Sequence, residues 1–337
     1  MPLKPEELEN CMTSFGVPCT FKGIRQAPRI TTYFFDYKNI AKATPTKTRA
    51  AAQKLSMLAN FPIHLTTSPT SHFALYHAES NRPIVEVADL TYPENGSNEF
   101  VAGITEDNEQ LNISFDKALH ILIAGTTGSG KSVFINNLIY TTIINQQDVN
   151  NIRYAIIDKK RTLNFWDKLN FSLGVANNDK TALMYIKEVR KEMYSRYEKM
   201  QAMGIEKNRG QFPKWILIID ELADLMLTDY RKEIDENLVS LCQLGRAAGI
   251  HCVLATQAPR VSVISGLIQA NTPTKIIFKT ASAKESVLCL GHKGAEELLG
   301  NGDCIIKLPD SIKEYRVQAP YASDDNFKGA VQGTNKV

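Results

Sequence analysis

Long apolar runs are missing from this 337-residue chain. Stretches such as Ile216–Ile219 are a few residues long, against the roughly 20 that a membrane helix needs. The first ten residues, Met1–Asn10, are acidic and polar, with no apolar stretch behind basic residues. A usual secretory signal is therefore not expected. Cysteine is sparse and scattered. Cys11, Cys19, Cys242, Cys252, Cys289 and Cys304 form no C-x-x-C pair, and the six histidines have no ligand-like spacing with them. Neither a zinc site nor a disulfide framework is expected, and a cytoplasmic location is. Charge of one sign is not in excess: 39 basic and 36 acidic residues leave +3. That balance neither implies nor excludes a nucleic-acid partner. Internal repeats and low-complexity tracts are absent too. What is there, 43% hydrophobic and 22% charged, suits a folded globular protein. At ~100–200 residues per domain the length gives two or three domains.

The pattern changes partway along the chain. Residues 1–98 read as a small N-terminal α+β domain. Helices are expected at Pro5–Phe15 and Thr46–Ala59, the latter behind Pro45. Strands are expected at Cys19–Ile24, Ile30–Tyr37, Ile63–Thr67 and Phe73–His77, with turns at Arg25–Arg29 and Ser68–Ser71. The polar stretch Pro93–Asn98 reads as a linker. Residues 99–320 then alternate short apolar strands with longer helices. The strands are His120–Ala124, Tyr154–Ile157, Trp215–Ile219, Cys252–Ala255 and Lys275–Phe278. The helices are Ser132–Asn145, Thr181–Met203 and Asp235–Ala247. Such alternation implies an α/β domain with a mostly parallel sheet covered on both faces. Residues 321–337 are polar and read as a mobile tail.

One motif sits at the first strand-to-helix junction of that domain. Gly125-Thr126-Thr127-Gly128-Ser129-Gly130-Lys131-Ser132 fits G-x-x-x-x-G-K-[ST] in full. Glycines let the backbone wrap a phosphate chain with its N–H groups inward, and the helix start adds the positive end of its dipole. Lys131 should reach the β- and γ-phosphates, and Ser132 should ligate Mg²⁺. A chance match in a Gly/Ser turn is the alternative, and the flanking strand and helix weigh against it. A second element, Trp215–Ile219, runs into two adjacent carboxylates, Asp220 and Glu221. Asp220 would support the metal and Glu221 would act as general base on water. An acidic helix N-terminus is the bland alternative. A third element, Cys252–Ala255, leads through Thr256 to Gln257, a residue placed to sense the γ-phosphate or orient water. These pieces describe an NTPase. No N-K-x-D guanine signal is present, so ATP is the expected nucleotide. A small-molecule kinase would need no glutamate directly after the aspartate, because its acceptor is not water.

The same residues carry a family resemblance. The segment His120–Val133 resembles the Walker A region of the FtsK/SpoIIIE double-stranded DNA translocases, and Ile218–Met226 resembles their Walker B region. Gly245–His251 running into Ala255-Thr256-Gln257, Val263–Asn271 and Gly294–Asp303 are similar to further family blocks. Glu192-Met193 with Arg196-Tyr197 and Met200 is similar to a helical block between the Walker motifs. Phe15-Gly16-Val17 and the Arg25–Tyr33 region resemble the family's pre-motor domain. The resemblance implies a RecA-like P-loop motor in a homo-oligomeric ring, expected to be a hexamer, with duplex DNA in the channel and ATP hydrolysed between subunits. Where the family has Ala-Thr-Gln-Arg-Pro, this chain has Ala255-Thr256-Gln257-Ala258-Pro259, and Glu285-Ser286-Val287 stands for Asp-Ser-Arg. Two arginines are thus absent from the pattern. Ring ATPases send an arginine into the neighbour's site, and Arg246 is the candidate here, with Arg260 behind it. A cation at a helix C-terminus is the alternative for Arg246. Arg260–Asn271 and Lys159–Asn164 are candidate DNA-facing segments or ordinary surface loops. The family's N-terminal membrane helices and C-terminal winged helix are not matched, and whether a separate guidance or anchoring protein stands in for them is left open by the sequence. Plasmid, phage or conjugative DNA transfer, packaging or segregation are the settings this suggests. The alternative is a related ATPase that moves or remodels a protein, with little dependence on DNA.

Overall fold

The computed structural model describes residues 4–27, 30–39, 44–59, 63–67, 72–78, 84–93, 98–144, 151–170, 172–311 and 313–334. The expected turn at Ser68–Ser71 lies outside them, as do parts of Arg25–Arg29 and Pro93–Asn98 and the expected helix end at Asn145.

Two compact units form. The smaller comprises residues 1–84 and 104–109. It contains α1 (Pro5–Ser14), β1 (Cys19–Gln26), β2 (Ile30–Tyr37), α2 (Pro45–Ala59), β3 (His64–Thr67) and β4 (His72–Ala78). Its four strands pair antiparallel in the order β1-β2-β4-β3. Alternate residues Tyr33, Phe35, Phe73 and Leu75 point to one face and meet Leu8 and Met12 of α1 and Leu55 of α2. An ion pair between Arg25 and Asp107 ties the 104–109 segment to this unit.

The larger unit comprises residues 85–103 and 110–337. In chain order it holds β5 (Glu99–Thr105), β6 (Gln110–Ser114), α3 (Phe115–Ala118), β7 (Ile121–Ala124), α4 (Lys131–Ile143), β8 (Ile152–Ile157), β9 (Ser172–Ala176) and α5 (Asp179–Met203). Then come β10 (Lys214–Ile219), α6 (Leu222–Met226), α7 (Arg231–Ala248), β11 (Ile250–Thr256), α8 (Gly266–Asn271), β12 (Thr274–Phe278) and α9 (Ala283–Leu290). β13 (Asp303–Lys307), β14 (Glu314–Gln318) and α10 (Asp324–Thr334) complete it. The ten-stranded sheet runs β6-β5-β14-β13-β12-β7-β11-β10-β8-β9, and the six strands from β12 to β9 are parallel.

Side-chain alternation along the buried strands makes two cores. Ile121 and Ile123 of β7 and Ile216 and Ile218 of β10 face Phe134, Ile135, Leu138 and Ile139 of α4. Leu122, Leu217 and Ile219 face the other way, onto Ile186, Val189 and Met193 of α5 and Leu238 and Leu241 of α7. Helix α5 starts at the Asn178 side chain, which accepts from Thr181 N at 2.9 Å, and stops at left-handed Gly204.

Two expectations are corrected. Residues 85–98 do not group with the smaller unit: Val87 N donates to Tyr321 O at 3.0 Å, Tyr321 N donates to Val85 O at 2.7 Å, and Val87 lies in the large unit's core. The 321–337 segment is not a loose tail over its described part, because α10 packs on the sheet. Phe327 is buried, with its ring 5.9 Å from Tyr140, 5.7 Å from Phe165 and 5.5 Å from Trp166. The segment is polar in composition because only one helix face, Phe327, Ala330 and Val331, is turned inward. Phe327→Ala is therefore expected to lower unfolding stability by about 3 kcal/mol, read as a lower denaturation midpoint. A change under about 0.5 kcal/mol, typical of a surface position, would leave α10 without a packing role.

Candidate nucleotide site

Strand order and register decide what meets at the sheet's C-terminal edge. β11 lies between β7 and β10. Thr256 of β11 pairs with Ala124, and Ile219 of β10 pairs with Leu254. Continuing that register sets Gln257 beside Gly125 and Glu221 beside Thr256. Residues far apart in sequence are thus level with one another as the three strands end.

The turn after β7 forms the phosphate loop. Its entry is fixed by β12, since Lys279 O accepts from Thr126 N at 2.8 Å and from Thr126 Oγ1 at 3.1 Å. Its exit is fixed by the 300–302 turn, where Gly302 N donates to Ser129 O at 2.8 Å. Gly130 precedes α4 with φ +105°, and a Cβ there would lie 2.5 Å from Gly302 N, so only glycine fits. Among the described residues the N–H groups of Thr127, Gly128 and Gly130 find no acceptor. They are available to an anion at the helix start.

The side chains expected from sequence converge on this loop. Lys131 is buried, and its Nζ donates to Asp220 Oδ1 at 2.9 Å and to the Asp220 carbonyl. Ser132 Oγ donates to the same Oδ1 at 3.2 Å. Asp220 Oδ2 and Ser129 Oγ are buried without partners among the described residues. A buried carboxylate oxygen left bare is costly, and such an orphan fits a site that takes up a hydrated cation.

Glu221 is held more completely. Its Oε1 accepts from Thr256 Oγ1 at 2.8 Å and Gln257 N at 3.1 Å, with Ala223 N at 3.4 Å. Its Oε2 accepts from Gln257 N and from Lys160 Nζ, each at 3.1 Å. The Gln257 side chain reaches the loop, its Oε1 accepting from Thr127 Oγ1 at 2.9 Å. Thr256 and Lys160 were not expected as Glu221 partners. The signal for Thr256 was its place at the last position of a buried strand, beside the acidic edge.

Arg246 is not brought to this cluster within the chain. It lies in the last turn of α7, at the N-terminal edge of the parallel strands. There it lines a cleft of about 740 Å³ with Lys207, Arg209 and Lys214. Of the candidate DNA-facing segments, 260–271 is anchored in the core through Val263, Ile264 and Ile268, which are buried. The 159–164 loop is anchored by buried Leu163 and held on an internal frame. The Asp158 carboxylate accepts from Lys160 N at 2.9 Å and Leu163 N at 2.7 Å, and Arg161 takes φ +62°.

Folding also assembles a set that sequence spacing hid. His120, Cys242 and Cys252 bring ligand-type atoms within 4.8 Å of one another, all buried. Burial pushes the His120 imidazole down to about 3, so it is neutral. Its Nδ1 accepts from Cys252 N at 3.0 Å, which spends the lone pair and leaves the proton on Nε2. The ring in this tautomer offers a metal no nitrogen.

The FtsK/SpoIIIE family profile matches residues 84–214 and 206–261. The DNA translocase FtsK of Lactococcus lactis subsp. cremoris is 32% identical over 360 residues, covering 96% of this chain and 46% of that protein. The DNA translocase FtsK of Listeria monocytogenes is 30% identical over 351 residues, covering 97% and 46%. The chain thus spans about half the length of these curated relatives. Among solved structures, the pCW3 conjugation coupling protein TcpA, a monomer form with ATPγS, has TM-score 0.67 at 21% identity. It covers 97% of this chain and 98% of that one. The cytoplasmic domain of the type VII secretion ATPase EccC of Thermomonospora curvata has TM-score 0.61 at 20% identity, covering 72% and 32%. The fold is that of a RecA-like P-loop ATPase motor domain, and no described helix is long and apolar enough to cross a membrane. By the profile match and these relatives, the chain belongs to the FtsK/SpoIIIE family.

Proposed function

We propose that this chain is an ATP-hydrolysing motor that moves double-stranded DNA. The observation that carries the reading is the convergence of Lys131, Ser132, Asp220, Glu221 and Gln257 at one phosphate loop. The loop's free N–H groups and Lys131 bind the phosphates of ATP. Ser132 and Asp220 would hold Mg²⁺, a role that suits their oxygen donors and the bare Asp220 Oδ2, and the ion would supply neutralisation of phosphate charge. Glu221 takes a proton from water as the water oxygen bonds to the γ-phosphorus and the bond to the β-phosphate oxygen breaks. Gln257, between loop and base, orients that water.

Lys159, Lys160 and Arg161 sit on the framed loop beside Glu221 and give the DNA backbone a cationic contact. Backbone contact without base contact suits movement along any sequence. The working form is a cytoplasmic homo-oligomeric ring, a hexamer, in which Arg246 enters a neighbour's site. Its position away from its own nucleotide loop is compatible with action in trans. The process served is DNA transfer, packaging or segregation.

Steady-state ATP turnover with and without long linear duplex DNA tests the reading, at low salt and again at higher salt. Strong stimulation that fades as salt rises is expected. Turnover indifferent to DNA would replace this reading with a motor acting on protein, and absent turnover would remove the motor altogether. In the same assay Arg246→Ala should lower turnover with nucleotide affinity kept, and unchanged turnover would move the finger elsewhere.

A further inference from the structure

Glu221 is arranged as a base that cannot yet work. A carboxylate offers about four lone-pair sites. Thr256 Oγ1, Gln257 N and Lys160 Nζ lie on them at 2.8–3.1 Å. With Gln257 N shared between both oxygens and Ala223 N a fourth donor at 3.4 Å, the carboxylate is crowded, and an attacking water is received as one donor departs. Two of those donors are fixed. Thr256 is fully buried at the end of β11, and Gln257 N is main chain directly behind it. Lys160 differs: its side chain is 39% exposed on a long stem, while the Glu221 side chain is 7% exposed.

We propose that Lys160 is a positioning residue that holds Glu221 at rest, and that a DNA backbone phosphate drawing Lys160 away frees Glu221 to receive water. This rests on the reading of Glu221 as the base and of DNA as the cargo. The loop is suited to such an exchange. Its backbone is preset by Asp158, so moving the Lys160 side chain need not unfold it. Its neighbour Lys159 is occupied by Asp179 at 2.6 Å, and Arg161 is exposed with no partner among the described residues. A phosphate drawn in by Arg161 meets Lys160 next. Cargo contact and hydrolysis are thus joined through one side chain, and ATP is spared when no DNA is engaged.

The test compares wild type, Lys160→Met and Lys160→Arg in steady-state ATP turnover with and without linear duplex DNA. Methionine keeps the stem and removes the cation. Lys160→Met should raise the DNA-free kcat by roughly three- to ten-fold, in keeping with the modest strength of a half-exposed ion pair. Its KM for ATP should hold, and added DNA should then gain less than about two-fold. Lys160→Arg, which restores a cation, should restore dependence on DNA. A merely structural lysine would not separate basal from stimulated turnover in this way. A DNA-stimulated wild type matched in both rates by Lys160→Met overturns the proposal and leaves the motor reading intact. Loss of turnover in Lys160→Met under both conditions, with ATP affinity retained, overturns it by making Lys160 part of the chemistry. A wild type that ignores DNA overturns the trigger together with the DNA reading.

Discussion

Lys131→Ala is expected to reduce ATP turnover by at least about a thousand-fold. Two effects add. The ammonium that neutralises the transferred phosphate is gone, and the phosphate loop keeps only its N–H groups. Asp220 also loses its cation: both side chains are almost wholly buried, 2% and 1% exposed, and breaking such a pair from one side costs on the order of 3–5 kcal/mol. Binding of a non-hydrolysable ATP analogue and the thermal midpoint should therefore both fall. Lys131→Ala combined with Asp220→Asn separates the effects. Stability should recover in the double variant because no charge is stranded, while turnover stays lost. Normal turnover in Lys131→Ala would sink the site assignment.

Glu221→Gln is expected to act differently. Glutamine retains an oxygen for Thr256 Oγ1 and Gln257 N, so the local structure should hold and ATP should bind. It cannot take a proton from water, and turnover should fall by about 10²–10⁴-fold. The variant should accumulate bound, uncleaved ATP, detectable by rapid filtration and separation of ATP from ADP. Bound ADP at the wild-type rate would remove Glu221 from the mechanism. In Lys131→Ala nucleotide fails to stay, and in Glu221→Gln it fails to leave, so the pair distinguishes binding from chemistry.

The phosphate loop, the acidic strand end and Gln257 were legible in the sequence because each follows a buried apolar strand, and motif and local period point the same way. Helices α4, α5 and α7 were legible for the same reason, α7 being longer by four residues at its start, whereas α3, α6, α8, α9 and α10 were not expected. Other features depend on pairings between distant segments. β13 and β14 have short, mixed compositions, and only their mutual register in the sheet makes them strands. The link from Tyr321 to residues 85–87 has no local signature at all. Lys160 lay inside a polar segment read as a candidate DNA-facing loop, but that its partner is Glu221 follows from β8 and β10 lying side by side. Arg246 shows the opposite limit: its type is legible, and its reach depends on a neighbour that one chain does not contain.

The place of β7 in the sheet also sets the order of events during synthesis. Its partners are β11 and β12, which begin at Ile250 and Thr274, whereas β7 ends at Ala124. At ribosomal speeds of about 5–20 residues per second, roughly ten seconds pass before either partner is made. During that time Ile121–Ala124 waits with both edges open, and the phosphate loop behind it has no frame. The chain can acquire a framed phosphate loop only after most of the larger unit has left the ribosome.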